Sequence, residues 1–509
     1  MLLLLLPLAL ILSSCPSLEI QRTESFSLAP PSHGLLAELS ERVRRSAPSG
    51  DSGLLLLAEN DAALRWRLAM IDSAQRSIDL QTYVWKGDAV GKLLILRLLA
   101  AADRGVRVRI LVDDFLIRGG DRVSTLLAHH PFIDVRIFNP WTTRGAFGLR
   151  SAFEWLWRAE LNHRMHNKLV VVDGLAAIAG GRNIGDEYFG LNPLRNFADL
   201  DVLTVGPVVN DFTEAFDDYW NDEWSILASS FDRRVRTEDA VAEEIDALRG
   251  LLMNWSDEEI SRLTNIPLQP VTWEAIFDPL PTRLSYGSAV GVTDDPRELR
   301  GGLANQVYLS LANLVSQVET ELLLVSAYFV PSLDQIEALR ALTERGIRVR
   351  VLTNSLASNN HSIVNSQYKR WRKPLLDAGV EVYEMRHDPA DTDFINTDPV
   401  VAQSFTLHTK AVVVDGRRLY IGALNLSPRG LRINAENGLL IENPEFGAKV
   451  MALFEEQLKP RNAWRLGRDD DGSLEWKSTG DTLRRQPAQR FRQRVSDWFY
   501  GFFPLEGQI

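Results

Sequence analysis

The sequence predicts an α/β protein built from two homologous halves, each with a mixed, mostly parallel β-sheet sandwiched by helices. Two repeats at nearly the same offset indicate the duplication. The segment RGVRVR at residues 104–109 returns as RGIRVR at residues 345–350, which is 241 residues later. The pattern H-x-K-x4-D occurs at residues 166–173 and again 242 residues later, at residues 408–415. Two such domains fit within 509 residues, because each can bury a core of its own.

The two halves share the same order of elements. An apolar strand pattern, at residues 78–84 and 322–329, precedes a segment with helical periodicity, at residues 93–102 and 335–344. A glycine then ends the helix, and a strand rich in Val and Ile follows. This alternation of strand and helix is typical of parallel sheets covered by helices.

Composition divides the chain further. We expect one domain at residues 51–225, a linker or helical insertion at residues 226–300, a second domain at residues 301–460, and an aromatic and basic tail at residues 461–509. The middle segment loses the strand rhythm and carries an acidic helical run at residues 238–251. A stretch with two prolines at residues 278–281 and the turn at residues 294–296 lead into the second half, so the boundary is expected near residue 270.

The N-terminus predicts export. Residues 2–12 form an apolar run that is too short to span a bilayer and is typical of a signal peptide, which we place at residues 1–14, followed by a tether at residues 15–50. Residues 12–15 resemble a bacterial lipobox, in which Cys15 is lipidated; Pro16 then favours the periplasmic side of the outer membrane. The alternatives are an ordinary signal peptide with an incidental Cys and a signal anchor. Cys15 is the chain's only cysteine, so no disulfide forms within one chain.

The doubled motif indicates the chemistry. It holds an imidazole, an ammonium and, 17 residues after the imidazole, an amide in each half: His166, Lys168 and Asn183 in the first, His408, Lys410 and Asn425 in the second. A His and a Lys at positions i and i+2 of a strand point to the same side. Two such edges facing each other suit a phosphodiester held between a nucleophile and an acid. A lone His would more often be a hydrogen-bonded core residue, but the paired spacing favours a site.

These motifs resemble the phospholipase D superfamily, whose signature is H-x-K-x4-D followed by G-x-x-N in two copies. Residues 77–85, 104–114, 164–189 and 197–208 are similar to the bacterial cardiolipin synthase C-like branch. The resemblance implies two phospholipase D-like domains related by a pseudo-twofold axis, with the active site in the cleft between them. The sequence departs from the family pattern at Ala423, where Ser is common, and at residues 432–438.

The resemblance also implies roles for residues. His166 attacks a phosphodiester to give a covalent phosphohistidine, His408 protonates the leaving alcohol, and the two roles then reverse. A carboxylate downstream of each Asn holds the far imidazole nitrogen, which maps to Glu436 and Asp199. Two motif carboxylates, Asp173 and Asp415, complete the expected catalytic set, although their position at strand ends also suits bracing of the following loops.

The implied function is transfer of a phosphatidyl group to phosphatidylglycerol, which makes cardiolipin, with phosphatidylethanolamine as a further candidate substrate. The alternatives are a hydrolase, either phospholipase D or nuclease, and a catalytically weak lipid-binding lipoprotein.

A net charge of −11 argues against a nucleic-acid partner. No cofactor or metal is expected, because His163 and His166 have no further His or Cys nearby. The aromatic segments at residues 153–158 and 498–503 suit a membrane interface or packing between the halves. The oligomeric state stays open.

Overall fold

The computed structural model describes residues 23–48, 50–115, 121–141, 158–232, 237–300 and 305–503. The predicted signal peptide, Cys15 and most of the aromatic segment at residues 153–158 lie outside these ranges. Over the described residues, none of the helices is long and apolar enough to cross a membrane.

Most of the strands join into one long mixed sheet. In chain order the strands are β1 Ser52–Leu57, β2 Ser77–Thr82, β3 Arg107–Asp113, β4 Ile133–Phe138, β5 Leu169–Val172, β6 Ala176–Gly180, β7 Asn196–Ala198, β8 Asp201–Val205, β9 Ser225–Leu227, β10 Ser285–Thr293, β11 Glu321–Ser326, β12 Arg348–Asn354, β13 Glu381–Met385, β14 Phe405–Leu407, β15 Lys410–Val414, β16 Arg418–Gly422, β17 Asn437–Glu442, β18 Ala463–Arg468, β19 Leu474–Ser478 and β20 Asp481–Leu483.

The pairings confirm the duplication. The first half runs β9-β4-β3-β2-β5-β6-β8-β1, and the second half repeats this order as β18-β13-β12-β11-β15-β16-β17-β10. The two halves meet edge to edge where β1 pairs with β10, and β19 and β20 extend the far end of the second half. The α/β prediction with two homologous halves is therefore confirmed.

The sheet is less parallel than the sequence analysis expected. Within each half only three strands run parallel, β2-β3-β4 and β11-β12-β13, and the remaining neighbours are antiparallel. For one of the antiparallel pairs in each half, the reason is the turn that follows the motif strand. Asp173 and Gly174 both have positive φ, 56° and 66°, and Asp415 and Gly416 repeat this with 52° and 66°. Such turns close tight hairpins, so β5-β6 and β15-β16 are antiparallel.

The helices cover the long sheet in both halves. They are α1 Leu35–Ser46, α2 Asn60–Ser73, α3 Ala89–Asp103, α4 Asp121–Leu127, α5 Val208–Trp220, α6 Glu238–Met253, α7 Asp257–Arg262, α8 Glu274–Phe277, α9 Leu280–Arg283, α10 Pro296–Arg300, α11 Gln306–Ser316, α12 Leu333–Glu344, α13 Ser362–Tyr368, α14 Arg372–Asp377, α15 Pro428–Arg432, α16 Pro444–Leu458 and α17 Phe491–Tyr500.

Capping residues mark the start of the repeated helices α3 and α12, and glycines follow their ends. The Asp88 carboxylate accepts from the backbone of Gly91 at the start of α3, and Ser332 forms a capping box with Gln335 at the start of α12. Such caps contribute about 1 kcal/mol each. Both helices end just before a glycine with positive φ, Gly105 at 87° and Gly346 at 83°. These glycines lie in the repeated Arg-Gly segment, so the sequence repeat and the helix ends coincide.

A central core holds the halves together. In β5, Val170 and Val172 pack into the core of the first half, whereas Leu169 and Val171 point into a core shared by both halves. Strand β15 alternates in the same way. Helices α5 and α16 contribute their buried aromatic residues to the shared core. Because each motif strand is anchored on both faces, the residues at its start are held in fixed positions.

The middle segment and the tail also contribute strands. The acidic run forms α6, as expected, but β10 pairs with both β1 and β17, so the second sheet begins before residue 301. In the tail, β18 pairs with β13. The pattern of residues 285–293 has little alternation of apolar and polar residues, and this is why the strand escaped the sequence reading.

Candidate active site

Short backbone contacts between the halves place the two motif histidines. Strand β7 of the first half pairs in parallel with β14 of the second, and the His408 amide then donates to the carbonyl of Ala198 at 2.7 Å. On the other side, the His166 amide donates to the carbonyl of Ala435 at 2.8 Å. The two contacts are related by the pseudo-twofold symmetry, so each histidine lies where its own half meets the other.

The carboxylate partners are exchanged between the halves. Nδ1 of His166, in the first half, lies 2.7 Å from Oε2 of Glu436, in the second. Nδ1 of His408, in the second half, lies 2.5 Å from Oδ2 of Asp199, in the first. All four side chains are buried. With Nδ1 bound to a carboxylate, each imidazole has Nε2 left for chemistry.

Aromatic rings surround the two imidazoles differently. The Tyr83 ring meets His166 edge-on, with centroids 4.9 Å apart. On the other side, Tyr188 meets His408 edge-on at 5.2 Å, and Phe197 stacks on it at 5.3 Å. Apolar rings exclude water and strengthen the electrostatic interactions within the site. The sequence analysis did not assign a role to Tyr83 or Tyr188.

The lysines lie beside their histidines, as the i, i+2 spacing predicts. Nζ of Lys168 donates to the backbone carbonyl of His166, and Nζ of Lys410 donates to that of His408. Nζ of Lys410 also lies 2.9 Å from Nδ1 of His408. In this arrangement the ammonium groups bind protein carbonyls, so contact with phosphate oxygens requires them to turn from these carbonyls to the substrate.

The two motif asparagines differ in their contacts. Oδ1 of Asn183 accepts from the backbone of Val84 at 3.2 Å, and its amide donates to the Tyr188 hydroxyl at 3.0 Å. Oδ1 of Asn425 is buried and has no hydrogen-bond partner within the described part of the chain. Buried polar atoms are normally hydrogen-bonded, so the site around Asn425 suits a ligand that donates to it.

Two residues missed by the sequence analysis support the exchange. Asn437 accepts from the backbone amide of Lys168 at 3.1 Å and donates to its carbonyl at 3.2 Å, a two-point contact between the halves. The Asp294 carboxylate accepts from the backbone amides of Glu436 and Val307, both at 2.9 Å. Asp294 had been read only as a turn residue, and Asn437 only as part of a variant motif. Their contacts join segments far apart in sequence.

Two of the predicted catalytic residues lie elsewhere. Asp173 and Asp415 are at the ends of β5 and β15 opposite to the histidines, which places them roughly 16 Å from the motif lysines and farther from the histidines, at about 3.3 Å per residue. The Asp173 carboxylate accepts from the backbone amides of residues 75–77, and that of Asp415 accepts from those of residues 319–321. These contacts fasten the hairpin to the start of the neighbouring strand. Among the other predicted catalytic residues, His166, Lys168, Asp199, His408 and Glu436 make direct contacts between the halves.

The electrostatics of the two histidine–carboxylate pairs are unequal. Burial and the charge of Lys410 lower the pKa of His408 to about 4. Burial opposes ionisation of Asp199, but the charges of His408 and Lys410 hold its pKa at about 2. Burial raises the pKa of Glu436 well above its usual range, and burial with the nearby lysines lowers the pKa of His166. Burial therefore opposes the negative charge of Glu436 more strongly than that of Asp199.

A groove of about 960 Å³ leads to the His408 side of the site. Its walls include Val84, Tyr188 and Phe197, which contact Asn183 and His408 as described above. The opposite wall comes from the start of α17 and from residues 360–362. A groove of this volume is in the range that holds a small ligand.

Comparison with known proteins identifies relatives of this chain. A family model described as "Cardiolipin synthase, PLD-like domain" matches the chain at residues 68–220 and 311–458, and each match contains one copy of the motif. Cardiolipin synthase C of Escherichia coli strain K12 is 33% identical over 466 residues, which cover 90% of this chain and 96% of the relative. The major cardiolipin synthase ClsA of Bacillus subtilis strain 168 is 26% identical, with coverage of 77% and 66%.

A solved structure supports the fold alone. The phosphatidylserine synthase of Haemophilus influenzae Rd KW20 matches 92% of this chain and 98% of its own length, with a TM-score of 0.56 at 15% identity. The similarity extends over both halves. The fold predicted from the resemblance is therefore confirmed.

Proposed function

Because the chain belongs to the cardiolipin synthase family of phospholipase D-like proteins, we propose that it makes cardiolipin from phosphatidylglycerol and a second phospholipid through a covalent phosphohistidine. Family membership makes it a phosphatidyltransferase. The observation that carries the finer proposal is the exchanged pair of contacts, His166 with Glu436 and His408 with Asp199. This arrangement leaves Nε2 of two imidazoles for one phosphodiester.

The first step is attack by Nε2 of His166 on the phosphorus of the donor lipid. A nitrogen–phosphorus bond forms, the bond from phosphorus to the headgroup oxygen breaks, and His408 gives its proton to that oxygen. In the second step the hydroxyl of phosphatidylglycerol attacks the phosphorus, its proton passes to His408, and the bond to His166 breaks. Lys168, Lys410 and the motif amides stabilise the charge on the phosphate oxygens.

The unequal electrostatics support these roles. Asp199 is ionised and lies against His408, so it favours the imidazolium that a general acid must be. In the free enzyme the pKa of His408 is about 4, and an anionic phosphodiester bound nearby raises it toward neutral pH, as a general acid requires. The pKa of His166 is lowered by burial and by both lysines, which keeps Nε2 unprotonated for attack. His166 is thus the better nucleophile and His408 the better acid.

Two experiments test the function and the intermediate. Purified protein is incubated with phosphatidylglycerol alone and then with phosphatidylethanolamine added, and the lipids are analysed by mass spectrometry. Cardiolipin is expected as the main product. Phosphatidic acid alone would instead identify a hydrolase. Acid-quenched enzyme should carry phosphohistidine on the peptide containing His166, and an adduct only on the peptide containing His408 would reverse the two roles.

Membrane association is part of the proposal. Along α17 and just after it, Phe491, Trp498 and Phe502 have 79%, 64% and 66% of their surface exposed. The neighbouring groove is lined by the cations Lys369, Lys373, Arg484, Arg485 and Arg494. Exposed aromatic rings beside cations suit the surface of an anionic bilayer.

Vesicle binding tests this surface. The double variant Trp498→Ser with Phe502→Ser should sediment less with phosphatidylglycerol vesicles, whereas Leu333→Ser, an equally exposed apolar residue on α12, should not change binding. Unchanged binding of the double variant would exclude this surface. We propose separately that Cys15 carries a lipid anchor and that the protein lies on the periplasmic side of the outer membrane.

A further inference from the structure

The groove beside His408 holds cations that the catalytic steps do not use. Arg195, Arg490 and Arg492 line it, and the imidazoles of His361 and His387 lie in the same lining. The groove also contains one carboxylate, Glu187, and this one is bound by Lys86 on the same wall. The rest of the lining is mostly neutral. The groove is therefore cationic close to the reacting centre.

Arg195 is the most informative of these residues. It is half-buried, its Nε donates to the Ser404 hydroxyl at 3.3 Å, and it has no ion pair with any carboxylate of the described ranges. Most buried arginines in the described part of the chain are paired with a carboxylate, as Arg109 is with Asp79, whereas Arg136 donates to backbone carbonyls. The positive charge of Arg195 acts on His361, because burial and this charge together lower the pKa of His361. A cluster of like charges without a counter-ion costs free energy unless an anion binds there.

The reaction geometry indicates which anion this is. In an in-line displacement the leaving alcohol departs on the side opposite the nucleophile, and the accepting alcohol returns by the same path. With His166 as nucleophile, both alcohols pass on the His408 side, where the groove opens. The acceptor phosphatidylglycerol carries a phosphodiester of its own, separated from the attacking hydroxyl by a three-carbon glycerol. That second phosphate must lie in the groove.

We propose that Arg195 and Arg490 form a subsite for the phosphate of the acceptor lipid, and that this subsite selects phosphatidylglycerol over water as acceptor. The inference rests on the proposed function. The donor phosphate is bound by the two motifs, and the acceptor phosphate is bound by the arginines. Guanidinium groups suit this role, because they donate two parallel hydrogen bonds to phosphate oxygens.

Product analysis of Arg195→Gln and Arg490→Gln tests the subsite. Transfer to phosphatidylglycerol should fall about tenfold to a hundredfold, the loss typical of a hydrogen bond between charged groups. Hydrolysis to phosphatidic acid and transfer to free glycerol, which has no phosphate, should stay within about twofold. The control Arg345→Gln changes an exposed arginine at the end of α12 and should match the wild type. Equal losses with all three acceptors would overturn the subsite.

A binding measurement is independent of turnover. The His166→Ala protein should bind glycerophosphoglycerol, the soluble headgroup diester, about tenfold more tightly than its His166→Ala, Arg195→Gln counterpart in calorimetry. Inorganic phosphate should bind much more weakly than the diester. Equal affinities for the two anions would mean a general anion site and overturn the acceptor assignment. If the wild type makes no cardiolipin but the diester still binds through Arg195, the proposed function fails and the phosphodiester subsite stands.

Discussion

The carboxylate of Glu436, in the second half of the chain, lies 2.7 Å from Nδ1 of His166, in the first half. The reciprocal contact joins Asp199 of the first half to His408 of the second. Each half therefore supplies the imidazole of one pair and the carboxylate of the other. Neither half by itself contains a complete histidine–carboxylate pair.

Glu436→Gln should lower kcat for phosphatidyl transfer by about a hundredfold or more, because an amide cannot hold the Nδ1 proton of His166 as a carboxylate does. The measurement is initial transfer rate at saturating lipid. Glu442→Gln provides a matched control, since Glu442 ends β17, the strand that begins directly after Glu436, but is exposed. A kcat for Glu436→Gln within threefold of the wild type would show that this contact does not serve the reaction.

His166→Ala and His408→Ala should each abolish turnover, and the double variant should be hardly worse than either single one. The reason is that two groups acting in one reaction lose their effect together. Single-turnover rates of the three variants give the comparison. Additive losses would indicate that the two imidazoles act in separate reactions and would count against a site shared across the cleft.

The contribution of His408 to the stability of the protein should rise with pH between about 4 and 6.5. The pKa of His408 in the folded protein is about 4, below the ordinary value of 6.5, so the unfolded chain takes up the proton first on acidification. The stabilisation by neutral His408 is complete above pH 6.5 and is lost as the pH falls to about 4, which amounts to at most about 3 kcal/mol. Asp199, with a pKa of about 2, loses its contribution only below this window.

Denaturant midpoints between pH 7 and pH 4.5 measure this slope. His408→Asn should remove the His408 contribution, so its stability should rise less with pH than that of the wild type, while His33→Asn, at an exposed position, should match the wild type. The slope that remains in His408→Asn combines His166, whose pKa is lowered in the same direction, with buried acids such as Asp294, whose raised pKa of about 7 acts in the opposite sense. An unchanged slope in His408→Asn would contradict the assignment.

Asp415→Asn should lower stability by about 1–2 kcal/mol and leave kcat within about threefold, because the carboxylate accepts from the backbone amides of Thr320 and Glu321. Asn tolerates the positive φ of 52° at this position, so the change tests the hydrogen bonds and not the backbone. Thermal unfolding and transfer rates are measured on the same preparation. A large loss of kcat without loss of stability would instead give Asp415 a direct part in the reaction.

Cys15→Ser should block lipid attachment and leave an unprocessed precursor, because the thiol is the attachment point in a lipobox. Intact-protein mass spectrometry of the membrane fraction gives the readout. Removal of residues 1–15 should impair action on bilayer lipids much more than on a soluble short-chain diester, since an anchor raises the effective lipid concentration. A mature chain of unchanged mass in Cys15→Ser would show that the cysteine is incidental.

Much of the site was accessible from the sequence because its signals are local. The spacing of His166 and Lys168 on one strand predicts that they share a side, and the repeat 242 residues later predicts a second such edge. The Asp-Gly pair after each motif was also visible. It is a hairpin signal, and it corresponds to the antiparallel pairs β5-β6 and β15-β16, which the alternation of strand and helix does not predict.

The partners of the histidines depended on the tertiary structure. Asp199 lies 33 residues after His166 and Glu436 lies 28 residues after His408, yet each carboxylate contacts the histidine of the other half. Pairing between β7 and β14 decides this, and a strand pairing that joins residues about 200 apart leaves no periodic trace in either segment. The sequence by itself determined which groups do the chemistry, through spacing along single strands. Only the packing of the two halves decided which carboxylate contacts which histidine, because that pairing depends on contacts between distant segments.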